Sequence, residues 1–442
     1  MQLASLSFVF LFLPVSIAVY YSLPDRYKNL CLLAISLAFY AFLSWQGMVL
    51  MAAMTAVDYA VAAGIHRLGP QHPRARQLCS ALAAATVALI AGTSAYAQIE
   101  HFDLPLGFYV YLLTGLGYVV DLYRGEAEFE PNPARFGVMC CFFGKLYAGP
   151  LVEYSEVAAD LRSPVKSLTG VGEGVLMFVR GLAKKVLLAD QISVVFTTLG
   201  ALPSGQLPVL GAWMMVLSSA FATYFNLSSY CDMAVGLGQV FGLSLPANFS
   251  YPFQSRTVTD FFARFNITVT RYIRRYVYRV LGYDTGGRLS NALNLMLTAM
   301  LAGLWFGLRL NTLVWGMFLG GFMVIEALWA HRWLENIPPF FLRIYAFAVV
   351  LLSYAIFAGS SLTQSWNTFV VMMGFSGHGF TNDTVQYMLL TRGSVMVACM
   401  LFSTSLFARL GQWLRQRSPL LLQVLTVASN AALLLLAVSM MI

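Results

Sequence analysis

The sequence is poor in charge: Asp, Glu, Lys and Arg make up 10% of its 442 residues, whereas hydrophobic residues make up 59%. Soluble domains carry about 25% charged residues, because a water-facing surface must be covered with polar groups. A lipid-facing surface has no such requirement, since the bilayer core favours apolar side chains. The scarcity of charge therefore excludes an ordinary soluble protein of this length and predicts an integral membrane protein.

Motifs of common soluble enzymes are also missing. The chain has no P-loop, no GxSxG, no HExxH and no CxxC pair. The cysteines lie mostly within apolar stretches, and the adjacent Cys140 and Cys141 have a spacing that is unsuited to clamping a metal. We interpret all six as small buried hydrophobic residues and predict no metal site. They are Cys31, Cys79, Cys140, Cys141, Cys231 and Cys399.

The net charge of +8 comes from basic residues that punctuate apolar runs rather than forming one basic surface. This pattern fits cytosolic loops that face an anionic leaflet. It predicts the lipid bilayer as a partner and no nucleic acid.

Apolar runs of roughly 20 residues, the length that crosses a bilayer, recur along the chain. We predict a single polytopic domain over residues 1–442, all-α, with about 10–12 transmembrane helices. The first run lacks a basic leader, which favours a first transmembrane helix over a cleaved signal peptide. The predicted spans are 4–22, 28–44, 47–64, 79–97, 104–121, 172–190, 208–226, 290–307, 311–330, 340–358, 386–408 and 419–441.

Lys and Arg set the predicted topology. Loop 65–78 holds three arginines, and the following loop at 98–103 holds no basic residue. The positive-inside rule therefore puts loop 65–78 in the cytosol and the N-terminus outside. Arg409, Arg415 and Arg417 place the last connection in the cytosol and the C-terminus outside.

Residues 136–152, FGVMCCFFGKLYAGPLV, are apolar but contain Lys145 and end with Gly149-Pro150. The stretch is too short and too broken for a simple crossing. Because irregular backbone at membrane depth must be buried in protein or face water, we predict a re-entrant segment that lines a cavity.

Residues 248–288 carry too much charge to cross the membrane. Aromatic and basic residues alternate there at helical spacing, which predicts interfacial helices over 255–282. Two interpretations stay open: a surface anchor on anionic lipid, or a basic surface that binds an anionic ligand such as the phosphates of an acyl carrier. The arginines are Arg256, Arg264, Arg271, Arg274, Arg275 and Arg279.

Polar residues follow an apolar helix at 223–232, TYFNLSSYCD. Asn226, Tyr230 and Asp232 lie within two turns of one another. Hydrogen bonding between helices is one explanation, and the lining of a substrate tunnel is the other.

The run LPANFSYPFQSRTVTDFFARFNITVTRYIRRYVYRVLG (245–282), with GLWFG (303–307) and VWG (314–316), resembles the membrane-bound O-acyltransferase family. VVDLYRGE (119–126), LYAGPLVEYSE (146–156) and GLAKKVLLAD (181–190) resemble further family segments in the same order. The similarity is greatest to the bacterial branch that serves O-acetylation of alginate and other exported polysaccharides and D-alanylation of teichoic acids. The resemblance extends to about residue 375, with a core at about 104–375.

This resemblance implies a ring of helices around a thin central region, where a tunnel brings a cytosolic acyl thioester to an acceptor on the far side. It implies O-acylation, with acetyl as the default, of an exported polymer at the bacterial inner membrane. The implied donor is acyl-CoA or an acyl carrier protein, with no tightly bound cofactor. A periplasmic or extracellular acyltransferase is the implied partner.

The chain departs from the family at its catalytic positions. Family motifs usually read RRWHISLS and GLWHGA, whereas this chain reads ARFNITVT and GLWFGL. Phe306 therefore occupies the position of the histidine usually held essential, and Asn266 that of the other. Neither can act as a general base.

Three explanations stay open: an engineered inactive variant, another base, or a catalytically silent subunit that scaffolds a modification or secretion complex. Candidate tunnel residues are Lys145, Asn226, Tyr230, Asp232 and Trp305, and candidate carrier-binding residues are Arg264, Arg271, Arg274 and Arg275.

Overall fold

The structure is a computed structural model that describes residues 2–100, 104–163, 167–203, 205–278, 287–330, 334–377 and 379–442. Of residues 288, 289, 329 and 330 it describes the backbone alone. Arg279 and the end of the predicted interfacial stretch, 279–282, lie outside the described residues.

Helices make up nearly all of the described chain. Short π-helical turns precede α1 and α9 and extend α12 and α14, at Phe8–Phe12, Lys184–Ala189, Ile273–Tyr278 and Glu326–Ala330. The α-helices are α1 (Leu13–Ser22), α2 (Asp25–Leu43), α3 (Trp45–Leu68), α4 (Pro73–Ile99), α5 (Phe108–Arg124), α6 (Pro133–Cys141), α7 (Tyr154–Arg162), α8 (Leu168–Ala183), α9 (Asp190–Gly200), α10 (Val209–Val240), α11 (Val258–Arg264), α12 (Ile267–Tyr272), α13 (Arg288–Leu304), α14 (Leu310–Ile325), α15 (Pro339–Ala358), α16 (Leu362–Met372), α17 (Asp383–Phe402), α18 (Leu406–Arg417) and α19 (Pro419–Met441).

Within the described residues, eight helices are long and apolar enough to cross a membrane: α2, α3, α4, α10, α14, α15, α17 and α19. Each overlaps a predicted span, although α10 continues to Val240 beyond the predicted end at 226 and α17 ends at Phe402 before the predicted end at 408. Phe8–Ser22 and Ser290–Leu304 are shorter apolar helices, and the remaining predicted spans, 104–121 and 172–190, are helical as well. The predicted all-α, multi-pass membrane fold is confirmed.

Polar side chains fix where several spans begin. Ser44 accepts a hydrogen bond from the backbone N–H of Gly47 at the start of α3 (3.0 Å), and Asn382 accepts one from Val385 at the start of α17 (3.0 Å). α4 begins at Pro73, whose missing N–H costs nothing in the first helical turn. These caps satisfy N–H groups that a helix leaves unpaired at its N-terminus.

The described chain divides into two compact units. Apart from the last two residues, the first unit comprises Met1–Leu182 and Tyr230–Ala247, and the second comprises Ala183–Ser229 and Asn248–Met440. α10 contributes residues to both, with the change at Ser229. The prediction of one polytopic domain stays a prediction.

An aromatic cluster forms the core of the first unit. The ring of Phe8 lies 5.7 Å from that of Phe39 and 6.1 Å from that of Phe143. Phe143 also packs edge-on against Phe241, with ring centroids 5.7 Å apart. Because aromatic rings bury large areas, this cluster joins the N-terminal helix to the segment after α6.

The segment at 136–152 is broken, as the sequence predicts. It consists of most of α6, a single 3₁₀ turn at Phe143–Lys145 and irregular chain to Glu153. The side chain of Glu130 anchors its entry, accepting from the Tyr154 hydroxyl at 2.7 Å and from the N–H of Asn132 at 3.0 Å. Burial, with the hydrogen bond to Glu130, raises the pKa of Tyr154 to about 12, so the phenol keeps its proton at neutral pH. Re-entry into the membrane stays a prediction.

In the second unit, α13 and α14 pack backbone to backbone. A Cβ added to Gly303 would overlap the carbonyl oxygen of Thr312, and one added to Gly316 would overlap that of Ala299. Only glycine permits this approach. The two glycines of the GLWFG and VWG motifs therefore set the geometry around the residues between them.

Candidate functional site

Phe306 lies in the short connection between α13 and α14. Its backbone N–H donates to the carbonyl of Gly303 at 3.0 Å, which continues the turn beyond the end of α13. The preceding residue, Trp305, is half-buried and donates its backbone N–H to Leu301 at 3.1 Å. The connection is thus an extension of α13 that holds both side chains in fixed positions.

Three aromatic rings surround Phe306. Its ring centroid lies 5.4 Å from that of Phe357 and 5.8 Å from that of Trp315, both edge-on, and 6.2 Å from that of Phe265. None of these rings exchanges protons near neutral pH. Phe306 is therefore part of an apolar cluster, which we call the Phe306 cluster (Phe265, Phe306, Trp315 and Phe357).

Two neighbouring hydroxyls on α15 border the Phe306 cluster, and they differ in their hydrogen bonds. The indole N–H of Trp315 donates to the hydroxyl of Ser353 at 3.0 Å, and Ser353 donates to the carbonyl of Val350 at 2.6 Å. Tyr354 packs against Trp315 and Phe357, with ring centroids 6.1 and 5.4 Å away. Its hydroxyl is buried and has no hydrogen-bond partner among the described residues.

Asn266 lies at the turn between α11 and α12, in the left-handed region of the Ramachandran plot with φ +52°. Asparagine tolerates this conformation better than most residues. Its side-chain oxygen accepts a hydrogen bond from the Asn248 amide at 2.9 Å, and the Asn248 oxygen accepts from the N–H and hydroxyl of Thr268, each at 2.9 Å. The Asn266 side chain thus closes a buried network that fixes the turn.

The structure brings the two motif segments together. Phe265, next to Asn266, forms an isolated antiparallel bridge with Phe249 and places its ring against Phe306. Both segments belong to the second unit.

A cavity in the second unit lies beside the Phe306 cluster and has a volume of about 720 Å³. Phe357 belongs both to the cluster and to the cavity wall. Arg309 also lines the cavity, and none of the described lining residues is an Asp or Glu. The other polar lining residues are Ser193, Thr197, Ser219, Thr223, Asn226, Ser360, Gln364 and Thr368.

The cavity follows one face of α10. The backbone N–H groups of Val209 and Leu210 donate to the carbonyls of Gly379 and Phe380, at 3.2 and 3.0 Å, so α10 begins beside the start of α17. The arginines that follow α17 predict that this end is non-cytosolic. At 1.5 Å per residue, the lining residues run from about 9 Å (Met215) to about 26 Å (Asn226) along the helix from Val209.

The remaining predicted tunnel residues lie in the first unit. Lys145 is buried and donates to the Thr114 hydroxyl at 3.3 Å and to the carbonyl of Met139. The Tyr230 ring stacks on Tyr147, with centroids 4.9 Å apart. Asp232 is half-buried and lies two residues further along α10. The structure thus places Asn226, Trp305 and Phe306 in one unit and Lys145, Tyr230 and Asp232 in the other, and a common tunnel stays a prediction.

The four candidate arginines differ in their surroundings. The Arg264 guanidinium donates to Asp260 at 2.7 Å, one turn earlier on α11. Arg274 is exposed, whereas Arg271 and Arg275 are partly buried. Arg275 lies 5.8 Å from the ring centroid of Tyr276. None of these arginines is within a long apolar helix, as the sequence predicts.

Glu326 is a further positioning residue, which the sequence did not single out. Its carboxylate accepts hydrogen bonds from the N–H of Val258 (2.7 Å), the N–H of Thr259 (3.0 Å) and the Thr259 hydroxyl (2.7 Å). It also accepts from the Tyr345 hydroxyl at 3.2 Å. An acid at the N-terminus of a helix is favourable, and here it ties α11 to the end of α14 and to α15.

None of the six cysteines forms a disulfide; five are buried, as the sequence predicts, whereas Cys31 is half-buried. Among the described residues there is no group of three or more His, Cys, Asp or Glu that could hold a metal ion.

Comparisons with known proteins find similar sequences. A profile of the "MBOAT, membrane-bound O-acyltransferase family" matches residues 130–366, which include Asn266, Phe306 and most of the cavity lining. A probable alginate O-acetylase of Pseudomonas fluorescens is 31% identical over 383 residues, covering 85% of this chain and 76% of that protein. A peptidoglycan O-acetyltransferase of Helicobacter pylori is 28% identical over 420 residues, covering 84% and 79%. A teichoic acid D-alanyltransferase of Bacillus subtilis is 22% identical over 225 residues, covering 48% and 56%.

Proposed function

Because the chain belongs to the membrane-bound O-acyltransferase family, we propose that it serves the O-acylation, by default O-acetylation, of an exported polysaccharide or cell-envelope polymer. In this role it relays acyl groups from a cytosolic thioester across the bacterial inner membrane. The family match over residues 130–366 carries the proposal, since it covers the Phe306 cluster and the turn at Asn266. Relatives named for acetylation of alginate and of peptidoglycan support the polymer acceptor. They do not favour the silent-scaffold alternative.

The chemistry is an acyl transfer from sulfur to oxygen. The acceptor oxygen bonds to the thioester carbonyl carbon, the carbon–sulfur bond breaks, and the thiolate leaves while the acceptor hydroxyl loses its proton to a base. Phe306 cannot take that proton, and the Asn266 oxygen already accepts from Asn248. The base therefore lies elsewhere in this chain, where Asp232, Tyr230 and Lys145 are the candidates, or in a periplasmic or extracellular acyltransferase that completes the transfer.

The donor is acyl-CoA or an acyl carrier protein, with no tightly bound cofactor. Arg271, Arg274 and Arg275 are close in sequence on α12 and its π-helical extension, where guanidinium groups can pair with phosphate. Arg264 contributes less, because its guanidinium already pairs with Asp260.

Membrane vesicles that contain the chain test the proposed function. Labelled acetyl thioester is supplied on the cytosolic side, and label in the exported polymer is measured with and without the periplasmic fraction. We expect incorporation that requires the chain. Equal incorporation in vesicles lacking it would refute the proposal, and transfer without the periplasmic fraction would locate the base in this chain.

A triple charge reversal, Arg271→Glu with Arg274→Glu and Arg275→Glu, tests the donor site. Each charge-assisted contact contributes roughly 1.5–3 kcal/mol, so carrier binding should fall by well over tenfold while the helix content is unchanged. Arg76→Glu, at an exposed arginine near the start of α4, is the control. Unchanged carrier binding in the triple variant would favour the lipid-anchor interpretation instead.

A further inference from the structure

The cavity beside the Phe306 cluster has a wall with an unusual charge balance. Arg309 is exposed and supplies its only cation, and no Asp or Glu lines it among the described residues. The Arg309 guanidinium has no ion-pair or hydrogen-bond partner among the described residues. The contacts of Arg309 with Gly307 and Thr312 use its backbone N–H and carbonyl alone. The wall therefore presents one positive charge to whatever occupies the cavity.

Two buried hydroxyls also face this space. Ser219 on α10 and Thr368 on α16 are 4% and 7% exposed, and both line the cavity. Within the part of the chain that the structure describes, neither hydroxyl has a hydrogen-bond partner. Because both residues border the cavity, their hydroxyls are available for hydrogen bonds with an occupant.

The junction that carries the wall is rigid. The Asn311 amide donates to the carbonyl of Gly359 at 2.9 Å and to the Ser365 hydroxyl at 3.1 Å, which fixes α14 against the connection between α15 and α16. Gln364 accepts from the N–H and hydroxyl of Ser360, both at 2.7 Å. The polar groups of the rim are therefore held in place before a ligand arrives, which lowers the entropic cost of binding.

Charge and size restrict the ligand. One guanidinium matches one carboxylate and can bind it through two hydrogen bonds. The several phosphates of a coenzyme-type donor would need more cations than the wall offers. The volume of about 720 Å³ lies within the usual range of small-molecule sites, roughly 300–1,000 Å³. The hydroxyl and amide groups suit a ligand that is itself rich in hydroxyls.

We propose that this cavity binds an acidic saccharide unit, with Arg309 pairing its carboxylate and the Ser219 and Thr368 hydroxyls bonding its hydroxyl groups. The identity of the unit as an acyl acceptor rests on the proposed function. Arg309 is then a specificity-determining residue, which selects acidic over neutral sugars at the non-cytosolic end of α10.

Binding to the full chain in lipid nanodiscs tests this inference by calorimetry. The two probes are a short oligomer of a hexuronic acid and the neutral oligomer of the corresponding hexose. We expect the acidic oligomer to bind at least about tenfold more tightly, because a hydrogen-bonded ion pair is added. The preference should shrink as salt is raised, since the cavity is open to solvent.

Matched variants separate charge from hydroxyl contacts. Arg309→Gln should abolish the preference and Arg309→Lys should retain part of it, whereas Arg76→Gln should leave it unchanged. Ser219→Ala with Thr368→Val should weaken the binding of both oligomers to a similar extent. Thermal unfolding of each variant reports whether the fold is retained, and the exposed Arg309 side chain makes its substitution tolerable.

Equal affinity for the two oligomers, or a preference that survives Arg309→Gln, would overturn the inference. If neither oligomer binds, the inference is also overturned, and the cavity is then a water-filled space without a saccharide ligand. The transfer assay is independent of these measurements. Acyl transfer without an acidic preference would defeat this inference alone, and an acidic preference without transfer would defeat the proposed function alone.

Discussion

At the scale of single residues, the side chain of Phe306 is held by contacts with aromatic rings and not by hydrogen bonds. A histidine placed there would meet Phe265, Trp315 and Phe357. A catalytic imidazole needs a partner that orients it and fixes its tautomer. The surroundings of Phe306 thus favour a site that differs from its family in more than one residue.

We therefore expect Phe306→His alone to leave acyl transfer unchanged. The double variant that adds Asn266→His would lose the hydrogen bond from Asn248 and should also disturb the turn. The measurement is acyl transfer to polymer in membranes that carry the unaltered chain, the single variant or the double variant. A gain of ~10²–10⁴-fold in the single variant, the size of a restored general base, would show that Phe306 replaces a histidine in an otherwise intact site.

Ser353 and Tyr354 give a second test at this scale, because adjacent buried hydroxyls should respond in opposite ways. Ser353→Ala leaves the buried indole N–H of Trp315 without its acceptor and should lower stability by about 1–3 kcal/mol. Tyr354→Phe removes a hydroxyl that has no partner among the described residues, and stability should stay the same or rise. Thermal unfolding in one detergent compares the two. A destabilised Tyr354→Phe would mean that the phenol is bonded in solution.

At the scale of elements, α11 and α12 are too short to be stable by themselves, with seven and six residues. Their position depends on attachments to longer helices. Glu326 supplies one through three hydrogen bonds to the start of α11, and the Asn248–Asn266–Thr268 network supplies another. The turn that holds Asn266 is thus positioned from both ends.

Glu326→Ala should accordingly loosen α11 and α12 while the spans stay folded. Hydrogen exchange of the amides at 258–272 should rise by about tenfold or more, since each charge-assisted bond contributes roughly 1.5–3 kcal/mol. Tyr345→Phe is the matched control, because it removes a single 3.2 Å bond to the same carboxylate. Equal protection in Glu326→Ala and the unaltered chain would show that the Asn248 network is sufficient.

The elements also show how far sequence reasoning reaches. Spans were predictable because apolar length is a local property, and each of the twelve predicted spans is helical. The end of the seventh was wrong: α10 continues to Val240 instead of ending at 226. Within this polar stretch the hydroxyls of Thr223 and Ser229 donate to the helix's own carbonyls of Ser219 and Asn226, at 2.9 and 2.7 Å. The Ser228 hydroxyl is buried and has no partner among the described residues.

Much of the candidate site was not predictable. The motifs located Phe306 and Asn266, whose segments lie in one unit. The folded structure alone brings α10, α14 and α16 around one cavity. The proposed roles of Arg309, Ser219 and Thr368 depend on this packing. From the sequence alone, Glu326 is a charged residue at the end of a span. Its role as a cap for α11 depends on packing between distant segments.

At the scale of the whole molecule, the arginines predict which loops face the cytosol. Cysteines introduced at Gly69 and Thr404 should face the cytosol, and cysteines introduced at Gly205 and the C-terminus should face the outside. The measurement is labelling of introduced cysteines by an impermeant thiol reagent, in a variant that lacks the native cysteines. Labelling of Gly69→Cys from outside would invert the topology and move the proposed acceptor cavity to the cytosolic face.

The helical segment Phe8–Ser22 is only about 22 Å long at 1.5 Å per residue, against roughly 30 Å for the hydrocarbon core of a typical bilayer. Its exposed face is apolar, with Phe10, Leu11, Val15 and Val19 open to the surroundings. Lipid beside this face must therefore compress, at fractions of a kcal/mol per Å of mismatch. Acyl-chain length thus affects the free energy of the lipid beside this segment, and shorter chains fit it with less deformation.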